Sequence, residues 1–266
     1  MQHFIVIGNP IAHSKSPQIH HAFAESLGLN IRYSRQFCPD DAASFTAVVE
    51  AFFHGGGAGA NVTLPFKEIA FSLCQNTGVL SEYAKSAGAV NTLVIKDGKL
   101  FGDNTDGRGL VADLVAQGVN LQGAHVAIVG AGGATRGAIL PLVEHGAALT
   151  IFNRTLAKAQ TLADEFAAHT AISIKSLESL GADTAHFDVI INATSATTHG
   201  TPLTLAPTLS ADFAYDMMYG KPSPFLAHFA NQGARTSDGY GMLIHQAALA
   251  FTLWTGRAVD LQKVDL

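Results

Sequence analysis

GAHVAIVGAGGATRGAILPLVEHGAALTIFNRT, residues 123–155, reads as strand, tight turn, helix and second strand. Ala124 to Val129 is a short apolar run, as a parallel strand covered on both faces requires. Gly130, Gly132 and Gly133 follow at once. Glycine there lets the backbone turn sharply and come close to a ligand. A helix starting in the turn aims free N–H groups and the positive end of its dipole at one anion. Ala148 to Phe152 supplies the second strand. The pattern predicts a dinucleotide-binding unit whose turn, Gly130, Ala131, Gly132, Gly133 and Ala134, holds a pyrophosphate. The third glycine of the usual pattern is replaced by Thr135, and Gly137 comes two residues later. The competing interpretation is a glycine-rich turn that binds nothing. Three glycines in four residues would weaken a helix start unless something must approach closely.

The end of the second strand selects the cofactor. An NAD site places an acid there for the ribose 2′-hydroxyl. This chain has Asn153, Arg154 and Thr155, with Lys158 a turn later. A guanidinium suits a phosphate through forked hydrogen bonds, so the expected cofactor is NADP. The alternative is that Arg154 is a solvated charge at a helix start.

Composition narrows the class. A length of 266 residues suits one large domain or two small ones. The hydrophobic fraction is 48% and the charged fraction only 14%, so large faces should be buried. A formal net charge of −5 without a basic run argues against a nucleic-acid surface. Phe4-Ile5-Val6-Ile7 follows the first residues directly, so no signal peptide is expected, and no apolar segment reaches membrane-spanning length. Cys38 and Cys74 lack C-x-x-C spacing, and the scattered histidines form no ligand pattern. The expectation is a cytoplasmic protein without metal, nucleic-acid or membrane partners.

Other stretches carry candidate chemistry. Phe4 to Gly8 reads as a strand, followed by a polar loop and a helix with Ser16 as N-cap and Pro17 first inside. Ser14 and Ser16 would then lie at a helix N-terminus beyond a strand end, which suits a small carboxylate; a simple cap is the plainer role for Ser16 alone. Ala60 to Thr63 reads as a strand running into a helix whose first turn holds Pro65 and Lys67. A cation there is disfavoured by the dipole, which favours proton loss. Ala89 to Ile95 and Leu100 to Phe101 read as a hairpin around Asp97-Gly98, with Asn91 and Thr92 in its first strand. Asp106 opens the next helix, where a plain N-cap is the competing role. Strands alternate with helices to the end, implying parallel sheets with right-handed crossovers.

These motifs meet in one family. SKSP (14–17), NVTLPFK (61–67), GAVNT (88–92), GDNTDG (102–107), GAGGATRG (130–137), NRT (153–155), NATS (192–195), YDMMYG (215–220) and GYGMLIHQA (239–247) occur in order. Along essentially its whole length the chain resembles the shikimate dehydrogenase family. The resemblance implies reversible NADP-dependent reduction of 3-dehydroshikimate to shikimate, within aromatic amino-acid synthesis. It implies two α/β domains with the active site in a cleft between them: a substrate domain, 1–103 plus 239–266, with a mostly parallel sheet, and a Rossmann-type NADP domain, 104–238. A monomer or homodimer is expected.

By the same resemblance, Ser14 and Ser16 bind the substrate carboxylate with Tyr215 close by. Thr63, Lys67, Asn91, Asp106 and Gln246 bind the ring hydroxyls, and Lys67 and Asp106 are catalytic. Asn153, Arg154, Thr155 and Lys158 surround the 2′-phosphate; Thr194, Met217 and Gly239 lie near the nicotinamide. Lys67 is the acid in reduction and the base in oxidation, oriented by Asp106. Their opposite charges oppose the dipole effect on Lys67. The loop Ala196-Thr197-Thr198-His199 departs from the family, which often has glycine soon after NATS. The rivals are a quinate or dual quinate/shikimate dehydrogenase preferring NAD, and a non-catalytic NADP-binding regulator.

Overall fold

The computed structural model describes residues 1–194 and 203–266; Ser195 and the 196–200 loop lie outside the described residues. The chain divides into two compact units, Met1–Gly109 with Ile244–Leu266, and Leu110–Leu243.

Unit 1 contains β1 (Gln2–Gly8), α1 (Ser16–Ser26), β2 (Ile31–Phe37), α2 (Ala42–His54), β3 (Gly59–Val62) and α3 (Lys67–Thr77). Then come β4 (Val79–Leu80), α4 (Glu82–Ala87), β5 (Thr92–Lys96), β6 (Lys99–Asp103) and the first turn of α5 (Asp106–Ala116). Its sheet has the order β2-β1-β3-β5-β6-β4. β5 alone runs against its neighbours, pairing antiparallel with β3 and β6. The turn that reverses it is Asp97-Gly98, both at positive φ, as the Asp-Gly pair predicts. The reversal brings the start of β5 to the same edge as the ends of β1, β3 and β6. Phe45 and Phe66 stack at 5.1 Å in the core beneath α2 and α3.

Unit 2 contains the rest of α5, then β7 (His125–Val129), α6 (Gly133–Glu144), β8 (Ala148–Asn153), α7 (Leu156–Glu165) and β9 (Ile172–Ser176). β10 (His186–Asn192), β11 (Ser210–Asp216), α8 (Pro224–Ala230), β12 (Arg235–Asp238) and the start of α9 (Tyr240–Thr255) follow. Its sheet is parallel throughout, ordered β12-β11-β10-β7-β8-β9. That is the doubly wound dinucleotide-binding order, with the switch point beside β7. Phe152, Phe187, Phe225 and Phe229 fill one face.

The units change over inside α5 and α9, at 109/110 and 243/244, a few residues beyond the expected 103/104 and 238/239. Three local expectations change. The N-cap of α1 is Lys15, and Ser16 is already the first helical residue. Pro65 stands outside α3, which begins at Lys67 after a turn over 64–66. Asn91 lies one residue before β5. Strands β4, β9 and β12 had no apolar run to announce them; β9 and β12 are edge strands and mostly half-exposed or exposed.

Candidate active site

At one edge of the unit 1 sheet, strand ends deliver a set of polar side chains. The sequence puts Lys67 on the first turn of α3 and Asp106 on the first turn of α5. Lys67 Nζ donates to Asp106 Oδ2 at 2.7 Å, with the side chains 28% and 24% exposed. Part of each head group stays open to a ligand. Asp106 Oδ1 accepts from Asn91 Nδ2 at 2.8 Å, and Asn91 Nδ2 also reaches Thr105 Oγ1 at 3.0 Å. Thr105 Oγ1 lies 3.3 Å from Gln246 Oε1, and the Thr105 N–H donates to Asn91 Oδ1 at 2.9 Å. Asn91, Thr105 and Gln246 are all buried. Sequence reasoning gave Thr105 no role, although it sits inside GDNTDG; its signal was there and was assigned only to its neighbour.

A second layer holds this set. Tyr33 donates to Asn61 Oδ1 at 2.7 Å, and Asn61 Nδ2 donates to the Asn91 carbonyl at 3.2 Å. Below, the His20 ring stacks on Tyr33 with centroids 4.4 Å apart. Neither His20 nitrogen makes a hydrogen bond of normal geometry among the described residues. Burial pushes the imidazole down to about 3, with the Asn61 amide only opposing that shift. The Asp106 loop is clamped from the other side. Asp103 accepts from Ser81 Oγ at 2.5 Å and pairs with Arg108, and Asn104 Oδ1 accepts the Asp106 N–H at 3.0 Å.

Ser14 and Ser16 lie beyond the end of β1, their hydroxyls 3.2 Å apart. The Ser16 N–H donates to Ser14 Oγ at 3.3 Å, so Ser14, one residue before the N-cap, satisfies the first free N–H of the helix. Thr63 follows β3, the strand beside β1, and its N–H donates to the Ile7 carbonyl at 2.9 Å. The two loops are linked from Asn9 N to the Leu64 carbonyl at 3.1 Å.

In unit 2 the glycine turn runs from β7 into α6. Gly130 has φ +107°, and a Cβ on it would stand 2.9 Å from Thr194. Gly132 and Gly133 face open space: a Cβ on either meets nothing within 4 Å. Among the described residues no atom therefore requires glycine at these two positions, and the room fits a phosphate group drawn against the helix N-terminus. Thr135, in the place of the third glycine, is buried and donates to the Gly130 carbonyl at 2.8 Å. Asn153 accepts the Ala131 N–H at 3.1 Å and donates to the Thr155 carbonyl at 2.8 Å. Asn153 thus pins the turn to the residues that follow β8, with one amide hydrogen left over. Arg154, Thr155 and Lys158 are exposed beyond β8. Met217 N donates to the Asn192 carbonyl at 3.0 Å, and Thr194 caps the Asn192 side chain at 2.7 Å. A Cβ on Gly239 would run into the Met217 carbonyl, so that position admits no larger residue.

Tyr215 is not where a ligand contact needs it. It is 0% exposed within β11 and donates to Asp113 Oδ2 at 2.7 Å. Burial, reinforced by that carboxylate, pushes its phenol above the ordinary tyrosine value. The other tyrosine of YDMMYG, Tyr219, lies past the strand end, half-buried with its ring 6.0 Å from Tyr240.

A turn of this kind serves a dinucleotide, and a proton donor set among amides and hydroxyls serves reduction of a hydroxylated ketone. The chemistry is that of a nicotinamide-dependent oxidoreductase. Family models agree: the shikimate dehydrogenase substrate binding domain matches residues 6–93, shikimate / quinate 5-dehydrogenase 112–202, and the shikimate 5′-dehydrogenase C-terminal domain 239–265. A shikimate dehydrogenase (NADP(+)) of Psychrobacter cryohalolentis is 58% identical, covering 98% of this chain and 96% of its own. That of Acinetobacter baylyi is 49% identical, covering 95% of each. Among solved structures, shikimate 5-dehydrogenase from Thermus thermophilus with NADP(H) and shikimate has a TM-score of 0.83 at 33% identity, over 99% of this chain and 97% of that one. An Ael1 enzyme from Pseudomonas putida has a TM-score of 0.90 at 38% identity, over 98% and 96%. The chain belongs to the shikimate dehydrogenase family.

Proposed function

We propose that Lys67 and Asp106 carry the proton chemistry of a reversible, NADPH-dependent reduction of 3-dehydroshikimate to shikimate. The protein is an NADP-dependent oxidoreductase of the shikimate pathway. The observation that carries the residue assignment is the 2.7 Å pair between Lys67 and Asp106 at the sheet edge where Asn91, Thr105 and Gln246 also meet.

NADPH, when bound, supplies the hydride for the ring carbonyl. Oxygen then develops negative charge and needs a proton, which the Lys67 ammonium gives; in oxidation the amine takes it back. Asp106 holds the lysine head in place and accepts a hydrogen bond from a ring hydroxyl. Asn91, Gln246 and Thr63 offer amide and hydroxyl partners to the remaining hydroxyls, and Thr105, fully buried, holds Asn91 and Gln246 from behind. Ser14 and Ser16 receive the carboxylate. Tyr219 takes the role expected of Tyr215, because it alone of the two has surface to offer. The turn at 130–134 cradles the pyrophosphate, and Arg154, Thr155 and Lys158 meet the 2′-phosphate. Thr194, Met217 and Gly239 shape the nicotinamide side. Unit 1 serves as the substrate domain and unit 2 as the NADP domain. Two free, buried cysteines support a reducing, cytoplasmic setting, and the acidic balance supports a protein without nucleic-acid or membrane partners, acting as a monomer or homodimer.

Absorbance of NADPH formed from NADP⁺ tests this with shikimate, then quinate, then NAD⁺ in place of NADP⁺. Shikimate with NADP⁺ is expected to give the highest kcat/KM. Faster turnover of quinate, or with NAD⁺, would overturn the substrate or the cofactor assignment.

A further inference from the structure

We propose that Arg35 is the electrostatic anchor of the substrate carboxylate, acting across the Ser14 loop. This rests on the assignment of Ser14 and Ser16 to that carboxylate. Arg35 lies near the C-terminal end of β2, opposite Val6 of β1 and so beside the strand end from which the Ser14 loop departs. Its Nε and Nη2 both donate to the Ser14 carbonyl, at 3.0 and 2.6 Å. A fork on a single neutral carbonyl holds the guanidinium against the loop while leaving its charge uncompensated by that partner. The charge is permanent at any pH the enzyme meets.

The hydroxyls alone give only part of a preference for an acid. Ser14 and Ser16 are neutral, and what they offer a carboxylate beyond an ester is the added strength of a hydrogen bond to a charged acceptor. A fixed cation held on the Ser14 backbone adds a charge that favours the anion over its neutral analogues. It also orders the loop, since two hydrogen bonds to Ser14 fix the backbone that carries the hydroxyl. These two effects separate experimentally, because only the first depends on the ligand's charge.

The experiment compares wild type, Arg35→Gln and Arg35→Lys, using KM for shikimate and the competitive Ki of shikimate methyl ester. Arg35 is exposed, so both variants should keep the wild-type Tm. Arg35→Gln is expected to raise KM for the acid about three- to fivefold, the scale of a solvent-screened ion pair, with kcat unchanged and a clearly smaller rise in the ester Ki from the loosened loop. Arg35→Lys restores most of the acid's affinity. Added salt erodes the wild-type advantage and leaves Arg35→Gln nearly flat. Equal weakening of acid and ester would reduce Arg35 to a loop support and overturn the proposal, as would no weakening of either. Lys15→Gln is the control: an equal effect there would mean general surface charge, again against Arg35. Ser14→Ala tests the underlying assignment separately. If it leaves KM for shikimate unchanged, the carboxylate lies elsewhere, whatever Arg35 does.

Discussion

The two ligand-facing regions are built on opposite plans. In unit 1 the polar side chains are paired with one another before any ligand arrives: Lys67 with Asp106, Asp106 with Asn91, Asn91 with Thr105. In unit 2 the turn after β7 presents backbone, with Gly132 and Gly133 open to space and Asn153 and Thr135 tying its flanks. The difference follows from what each must recognise. A hydroxylated ring is distinguished by the positions of its hydroxyls, so donors and acceptors must be of definite type and held still, and mutual hydrogen bonds hold them. A diphosphate is met by N–H groups that every residue but proline possesses, so the requirement is that side chains be absent.

The sharpest way to break this contrast is at the pair. Lys67→Ala should lower kcat by ~10²- to 10⁴-fold with little change in KM for shikimate, the range that general acid–base help contributes. Asp106→Asn should cost kcat on a similar scale, since the lysine loses its carboxylate. If the wired set acts as a unit, Lys67→Ala combined with Asp106→Asn is hardly worse than the worse single variant. Losses that multiply would show that the two residues act independently, and the contrast with unit 2 would lose its basis.

Next in size is Arg154. A guanidinium on the 2′-phosphate contributes a charge-assisted hydrogen bond, so Arg154→Ala should raise KM for NADPH about 10- to 100-fold and leave KM for NADH nearly unchanged. An equal rise for both cofactors would return Arg154 to the solvated surface.

How much of this was readable beforehand divides along the same line. The β7–α6–β8 unit was legible almost residue by residue, because apolar runs and glycines announce a covered parallel strand and a bare turn. Ser14 and Lys67 were legible locally as helix-start residues, whereas their joining with Asn91 and Asp106 was legible only from the motifs, since nothing local says that residues 39 apart in sequence will form one pair. Thr105 and Asn61 were passed over because buried hydroxyl and amide groups look like ordinary turn residues until their partners are placed. Tyr215 was misjudged for a plain geometric reason: a strand's end buries one tyrosine, and four residues later the chain has left the sheet. That Asn153 also ties the Ala131 and Thr155 backbone together needs three dimensions to see. Edge strand β9 carried only the brief alternation of Ile172 and Ile174, and β12, Arg-Thr-Ser-Asp, carried no apolar residue.

Unit 1 also keeps a titratable ring beneath its site, and this gives a pH test of about tenfold per pH unit in the folding constant. His20 has its ordinary value near 6.5 in the unfolded chain and about 3 when folded. Between those values the unfolded chain binds a proton that the folded chain does not. Its contribution is therefore fully present above pH 6.5 and is lost as pH falls toward 3, at ~1.4 kcal/mol per unit. His20→Phe keeps a ring against Tyr33 and removes the proton site. The variant should show a shallower fall in Tm from pH 7 to 5 than wild type. Parallel falls would mean that another group governs acid sensitivity.

The smallest effect is the most direct probe of the bare turn. A methyl group added at Gly132 meets no described atom within 4 Å, and this residue has φ −98°, which any amino acid adopts. Gly132 is the N-cap of α6, where alanine caps less well than glycine, so Gly132→Ala should cost no more than about 1 kcal/mol. If the glycine is there to let a phosphate approach, the methyl group intrudes on the ligand alone, and KM for NADPH should rise about threefold while KM for shikimate holds. Gly239→Ala makes the counterpart, because its methyl group runs into the Met217 carbonyl and should lower Tm outright. A Gly132→Ala variant with Tm lowered as far as in Gly239→Ala, or with unchanged KM for NADPH, would mean that the glycine answers to the fold and not to a ligand, and the turn would then follow the same plan as the side-chain site of unit 1.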